Sequence, residues 1–168
     1  IRDRSYIDPQ AKLAKNVVVE PFVSIEKNVE IGNGTWIGSN VTIMEGARIG
    51  KNCEIFPGAV ISAIPQDLKF QGEKSLAIIG DNTIIRECAT INRATSVTGT
   101  TLVGNNCLIM AYCHIAHDCV IGNHVIMANV ATLAGHVEVG DHVNLGGFVG
   151  VHQFCRIGAF SYVGGLSG

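Results

Sequence analysis

Val29–Phe56 reads VEIGNGTWIGSNVTIMEGARIGKNCEIF. Every sixth residue in it is isoleucine: Ile31, Ile37, Ile43, Ile49 and Ile55. Extending the count to both ends of the chain, from Ile1 to Val163, gives twenty-eight positions, of which twenty-six are aliphatic. The two exceptions, Asp67 and Glu73, fall in one stretch. Four residues after each aliphatic comes a small or β-branched residue, as in Val23, Val29, Thr35, Val41, Ala47 and Cys53, and later Val125, Ala131 and Val137. Between the two lie turn formers: IGNG, IGSN, IGKN, IGDN, VGNN, VGDH. Each hexapeptide is therefore a short strand and a tight turn. An α-helix cannot keep residues six apart on one face. A parallel β-helix can: three hexapeptides make a triangular coil of 18 residues with the large aliphatics inside. Successive coils stack about 4.8 Å apart, each pairing its backbone with the next.

Two segments break the pattern. Ala63–Ala77, AIPQDLKFQGEKSLA, is polar and holds both exceptional positions, so it is read as a loop extruded from a corner. Arg93–Thr101, RATSVTGTT, keeps the register only through Val97 and is read as a second, smaller loop. Polar excursions from so regular a coil point to function.

The composition excludes several classes. The 168 residues are 47% hydrophobic and 15% charged, with a formal net charge of −2 and no basic run, which argues against a nucleic-acid partner. No stretch of eighteen apolar residues suggests a membrane span. The opening IRDRSYIDPQ lacks the apolar core of a signal peptide, and it begins with Ile rather than Met, as a trimmed chain would. Of the six cysteines, Cys53, Cys107, Cys113, Cys119 and Cys155 fall in the small interior position and only Cys88 does not. They read as buried free thiols in a reducing compartment rather than as disulfides or metal ligands.

The histidines behave oppositely, because none occupies an interior position. His124 and His142 sit 18 apart in GNHV and GDHV turns and read as stacked, solvated turn residues. His114, His117, His136 and His152 differ. Past Val103 the period is unbroken, so residues 18 apart become axial neighbours. His117 then lies beside Gly135, Asp118 beside His136, and His114 beside Thr132. A histidine is a natural general base, a carboxylate can orient its ring, and a glycine exposes a backbone N–H to a developing oxyanion. Catalysis, a metal site and mere ornament on a structural solenoid all remain open from this pattern.

AIPQDLK, IAHDC, LAGHVEV, GGFVGVHQFC and IGAFSYVGG occur here in the order in which they occur in the UDP-N-acetylglucosamine O-acyltransferases, which the chain resembles along essentially its whole length. That resemblance to a hexapeptide-repeat family implies a left-handed parallel β-helix, a hand that ordinary crossover rules would not favour. It implies a cytoplasmic homotrimer of a Gram-negative bacterium, with active sites between adjacent β-helices. The reaction it implies moves an (R)-3-hydroxyacyl chain from acyl carrier protein to the glucosamine 3-hydroxyl of UDP-N-acetylglucosamine, the first step of lipid A synthesis. No separate cofactor is implied, since the phosphopantetheine arrives with the donor. By the same resemblance His117 is the general base, Asp118 its supporting carboxylate and Gly135 N–H the oxyanion donor. Gln66, Asp67 and Lys69 would contact the donor or the nucleotide phosphates. His114, His136, His152 and Gln153 would line the acceptor pocket, and Tyr162 and Gly165 would lie where acyl length is set. Asn92, in TINRAT, stands where the family commonly has histidine; it can bind substrate but cannot titrate.

Family members continue past the equivalent of YVGGLSG into a further coil and a C-terminal helical domain. Residues 1–168 are accordingly read as a single β-helix domain without it. Two other readings share the fold: an acyltransferase forming an amide on a 3-amino sugar nucleotide, and a zinc protein like the γ-class carbonic anhydrases.

Overall fold

A computed structural model describes residues 4–168; the first interior position, Ile1, lies outside them. The chain is a left-handed parallel β-helix with no helix among the described residues. Its strands are two to four residues long and form three eight-stranded sheets, the faces of a triangular prism. The first face runs from Tyr6–Ile7 to Gly150–Val151, the second from Lys12–Leu13 to Arg156–Ile157, and the third from Val18–Val19 to Tyr162–Val163. All neighbouring strands are parallel.

Two residues per strand suffice because each points one way. In His114–Ile115 the histidine faces out and the isoleucine is fully buried; the pair registers with Thr132–Leu133. The inward column, Ile25, Ile43, Ile61, Ile91, Ile115 and Leu133 on this face, is completely buried. The small positions, among them Val29, Ala47, Ala59, Cys107, Cys119 and Ala131, close the corners of the same core. Cys155, in the last described coil, is exposed, unlike the other cysteines of the small position. All six cysteines are free, and burial pushes the thiols of Cys113 and Cys119 up to about 11, so they are neutral packing groups.

The corners have a period of their own. The third residue after most inward aliphatics is left-handed, with φ of 55° at Asn28, 60° at Asn40 and 51° at Asn52; Gln10, Ile64 and Ala94 are exceptions. Asparagine, aspartate and histidine tolerate that conformation best among side-chain-bearing residues, which is why asparagine recurs there and why Asp118, His124, His136 and His142 share the position. Val130, at φ 66°, is the one β-branched residue there among the described residues and carries the largest steric cost. At the corner between the second and third faces, glycines stack: a Cβ on Gly32 would meet Gly50 at 2.5 Å.

Register locates the two insertions. Val60 pairs with Thr90, thirty residues on, and Thr90 with His114, twenty-four on, where an unbroken coil needs eighteen. Twelve and then six residues are thus inserted, and both insertions leave the corner between the first and second faces. Val97, counted in the interior series, is instead 74% exposed at the tip of the second loop. A six-residue insertion leaves the hexad count undisturbed, so the period alone does not reveal it.

Candidate functional site

The corner that carries both loops carries the histidines in the following coils. It holds, in order, the loop after Ala63, the loop after Asn92, then Ala116–Asp118, Ala134–His136 and His152–Phe154. His117 Nδ1 lies 2.7 Å from Asp118 Oδ2, and His136 Nε2 lies 3.9 Å from the same oxygen. The His117 and His136 rings meet edge to face at 5.2 Å.

Asp118 is the electrostatic centre. Its side chain is fully buried, at a left-handed position with φ 60°. Oδ2 accepts from Thr95 N–H at 3.1 Å and from Thr95 Oγ1 at 2.8 Å. Oδ1 accepts from Thr98 N–H at 3.2 Å and from the Thr98 hydroxyl. Burial alone would raise the Asp118 pKa, but the hydrogen bonds from Thr98, His117 and Thr95 outweigh it and hold it at about 2. An ionised carboxylate only accepts, so His117 Nδ1 carries the hydrogen and Nε2 of the neutral ring keeps a free lone pair. That is the tautomer of a general base.

The ligand atoms of His117, Asp118 and His136 lie within 4.8 Å of one another, a spacing a metal ion would accept. The hydrogen bonding argues otherwise: five donors already fill the roughly four lone-pair sites of the Asp118 carboxylate, and a cation would have to displace them.

Gly135 has two roles. A Cβ there would stand 2.6 Å from His117 Cε1 and 2.8 Å from Nε2, so the imidazole occupies the space a side chain would take. The second role concerns its N–H. At the corner between the second and third faces, four N–H groups two residues after an inward aliphatic are capped by a side chain from the next coil. Lys51 N–H is taken by Asp81, Asp81 N–H by Asn105, Asn105 N–H by Asn123 and Asn123 N–H by Asp141, at 2.6 to 2.9 Å. No side chain among the described residues takes that place at Gly135, whose Cβ position the His117 ring fills.

The other expected residues are distributed around this pair. His114 faces out from the first face, its Nδ1 2.7 Å from Thr90 Oγ1; burial, and then the neighbouring His117, push its pKa down. His114, Thr132, Gly150 and His152 line an open groove of about 500 Å³ along that face. His136 stacks on Phe154, with ring centroids 4.8 Å apart. Gln153 is exposed at the same corner. Gln66 and Lys69 are exposed on the first loop, and Asp67 Oδ1 caps Lys69 N–H at 2.9 Å. Asn92 is buried, and its amide donates to Ile64 C=O at 3.0 Å, tying down the base of that loop. Tyr162 lies on the third face and Gly165 at the corner between the third and first faces, both away from the histidine corner. Sequence reasoning missed Thr95 and Thr98; the run of threonines in RATSVTGTT is the one signal for them.

The bacterial transferase hexapeptide (six repeats) family matches residues 28–63 and 100–135. An acyl-[acyl-carrier-protein]--UDP-N-acetylglucosamine O-acyltransferase of Chlamydia caviae is 50% identical over 95 residues, covering 56% of this chain and 34% of that protein. Among solved structures, the UDP-N-acetylglucosamine acyltransferase of Francisella novicida is 46% identical with a TM-score of 0.94, covering 96% of this chain and 59% of that one. That of Campylobacter jejuni is 42% identical, also at 0.94, covering 98% and 65%. The chain thus spans less than two thirds of the length of each. Over nearly its whole length this chain is similar in sequence and fold to UDP-N-acetylglucosamine acyltransferases, and it carries the repeat of the bacterial hexapeptide transferases.

Proposed function

We propose that the protein transfers an (R)-3-hydroxyacyl chain from acyl carrier protein to the 3-hydroxyl of UDP-N-acetylglucosamine, with His117 as general base. The observation that carries this reading is the His117–Asp118 pair, whose free Nε2 lies 2.8 Å from the place a Cβ of Gly135 would take. Nε2 takes the proton of the sugar hydroxyl as its oxygen attacks the thioester carbonyl. Charge moves to the carbonyl oxygen, where Gly135 N–H donates to it. The intermediate collapses to the ester, and the departing pantetheine thiolate takes the proton back from the imidazolium. Asp118, ionised throughout, stabilises that imidazolium. A thioester is activated enough that no covalent enzyme intermediate is required, consistent with the buried, neutral thiols of Cys113 and Cys119 next to the histidine coils.

The groove past His114 and His152 suits the acceptor sugar, and Gln66, Asp67 and Lys69 at the same corner suit the phosphates or the pantetheine. Acyl length is assigned to Tyr162 and Gly165. In this reading the active unit is a trimer in the cytoplasm, with each groove closed by a neighbour and the carrier protein docking from outside. No helix among the described residues is long and apolar enough to cross a membrane.

The test is acyl transfer followed by mass spectrometry, with 3-hydroxyacyl carrier proteins of several lengths and UDP-N-acetylglucosamine. Product bearing an ester, lost in His117→Ala, is the expected result. Equal product from a folded His117→Ala variant would refute the base assignment. An amide-linked product from a 3-amino sugar nucleotide, with none from the 3-hydroxyl, would refute the acceptor.

A further inference from the structure

We propose that Thr95 and Thr98, on the six-residue insertion in the coil below His117, are positioning residues that fix the Asp118 carboxylate and aim it at His117 Nδ1. The kinetic part of this proposal rests on the acyl-transfer reading; the structural part does not.

The second loop exists at the one coil where it covers Asp118. In the coils above, the left-handed corner residues His136 and Phe154 extend outward and stack on each other. Asp118 occupies the same position, yet its side chain is completely buried against the loop. Four of its five hydrogen bonds come from two loop residues, each giving both its N–H and its hydroxyl. Thr95 Oγ1 accepts from Val97 N–H at 3.2 Å, which turns its own hydrogen toward the carboxylate. Gly99 N–H donates to Thr95 C=O at 3.0 Å and closes the loop on itself. From below, Thr101 Oγ1 accepts from Asp118 N–H at 2.8 Å. Val97 at the tip of the loop is 74% exposed, and only its base, at Ala94 and Thr95, is buried.

A buried carboxylate supported by His117 alone would be free to rotate or take up a proton, and either change would release the ring. With both oxygens held by threonines, Asp118 stays ionised, and Oδ2 presents its remaining direction to Nδ1. The loop therefore selects the imidazole tautomer at a distance. A loop anchored for structure alone has no need of a charge at its anchor, and losing the anchor would leave the ring tautomer unchanged.

The experiment compares the full chain with Thr98→Val, Thr98→Ala, Thr98→Ser and Thr95→Val. The ¹⁵N shifts of the His117 ring, assigned by their absence in His117→Ala, report the tautomer, and thermal unfolding reports the fold. The expected wild-type state is Nδ1–H. In Thr98→Val and Thr95→Val it gives way to a mixture, and kcat falls about tenfold to a hundredfold, as for loss of a hydrogen bond to a charge. KM for the sugar nucleotide stays within about twofold, because the loss is confined to the transition state. Thr98→Ser restores both tautomer and kcat. An unchanged tautomer in folded Thr98→Val overturns the proposal. So does failure of both Thr98→Val and Thr98→Ala to fold, which would make the threonine a structural requirement. If wild-type protein transfers no acyl chain, the functional reading fails while the tautomer still decides the role of the threonines.

Discussion

Replacing Gly135 by alanine is the sharpest probe of the site, because it adds one methyl group at a known place. The new Cβ would stand 2.6 Å from His117 Cε1, 2.8 Å from Nε2 and 3.2 Å from Nδ1. Carbon atoms prefer about 3.5 Å or more, so the ring must move by about 1 Å. Backbone strain plays no part, since Gly135 is not among the residues with positive φ. The displaced ring loses its alignment with Asp118, which still keeps its four threonine donors. A hydrogen bond to a charged group contributes about 1.5–3 kcal/mol, and the glycine-to-alanine change returns about 0.4–1 kcal/mol by restricting the unfolded chain. Net stability should therefore fall by about 0.5–2.6 kcal/mol. Catalysis should suffer more: a misplacement of about 1 Å typically lowers the rate about a hundredfold, or about 2.7 kcal/mol of barrier. Steady-state acyl transfer gives the rate and urea unfolding the stability. Gly135→Ala protein with wild-type kcat would show that the ring position does not matter to the chemistry.

Three further outcomes test other levels of the structure. Asp118 is held at about 2, below its ordinary 3.8, so its stabilisation is complete above about pH 4 and is lost as pH falls through the folded value; urea midpoints between pH 5 and 2 should fall more steeply for wild type than for Asp118→Asn. Ile121→Ala empties a fully buried position in the interior column and should destabilise by about 2–5 kcal/mol, measured by urea unfolding, while leaving the His117–Asp118 pair intact. Val130→Asn relieves a β-branched residue at φ 66° and should stabilise by about 1 kcal/mol, raising the thermal midpoint by several degrees.

How far the sequence could be read depended on what repeats. The interior column repeats, so the coil, its inward aliphatics and the pairing of His114 with Thr132 follow from counting. The axial contact of His117 with Gly135 follows too, because every coil after Val103 has eighteen residues. Counting fails at the insertions, since twelve and six residues are both multiples of the hexad. The register of the aliphatics survives them, and Val97 passes for a core residue while standing in solvent. For the same reason the sequence did not bring the two loops to the corner of Asp118; that needs the strand partners of Val60 and Thr90, which the insertions hide. The left-handed corner position was readable in Asn16, Asn28, Asn40 and Asn52, but Phe22, Phe148, Phe154 and Phe160 share it and break the compositional signal. Phe154 is tolerated because it stacks on His136 in the coil below, and Phe160 because it stacks on His142. Axial stacking can thus support a residue that local preference disfavours. The site itself lies where periodicity stops. The repetitive coil supplies the histidine and the glycine, and the insertion supplies the threonines that fix the charge between them, so the chemistry depends most on the part of the chain that no repeat encodes.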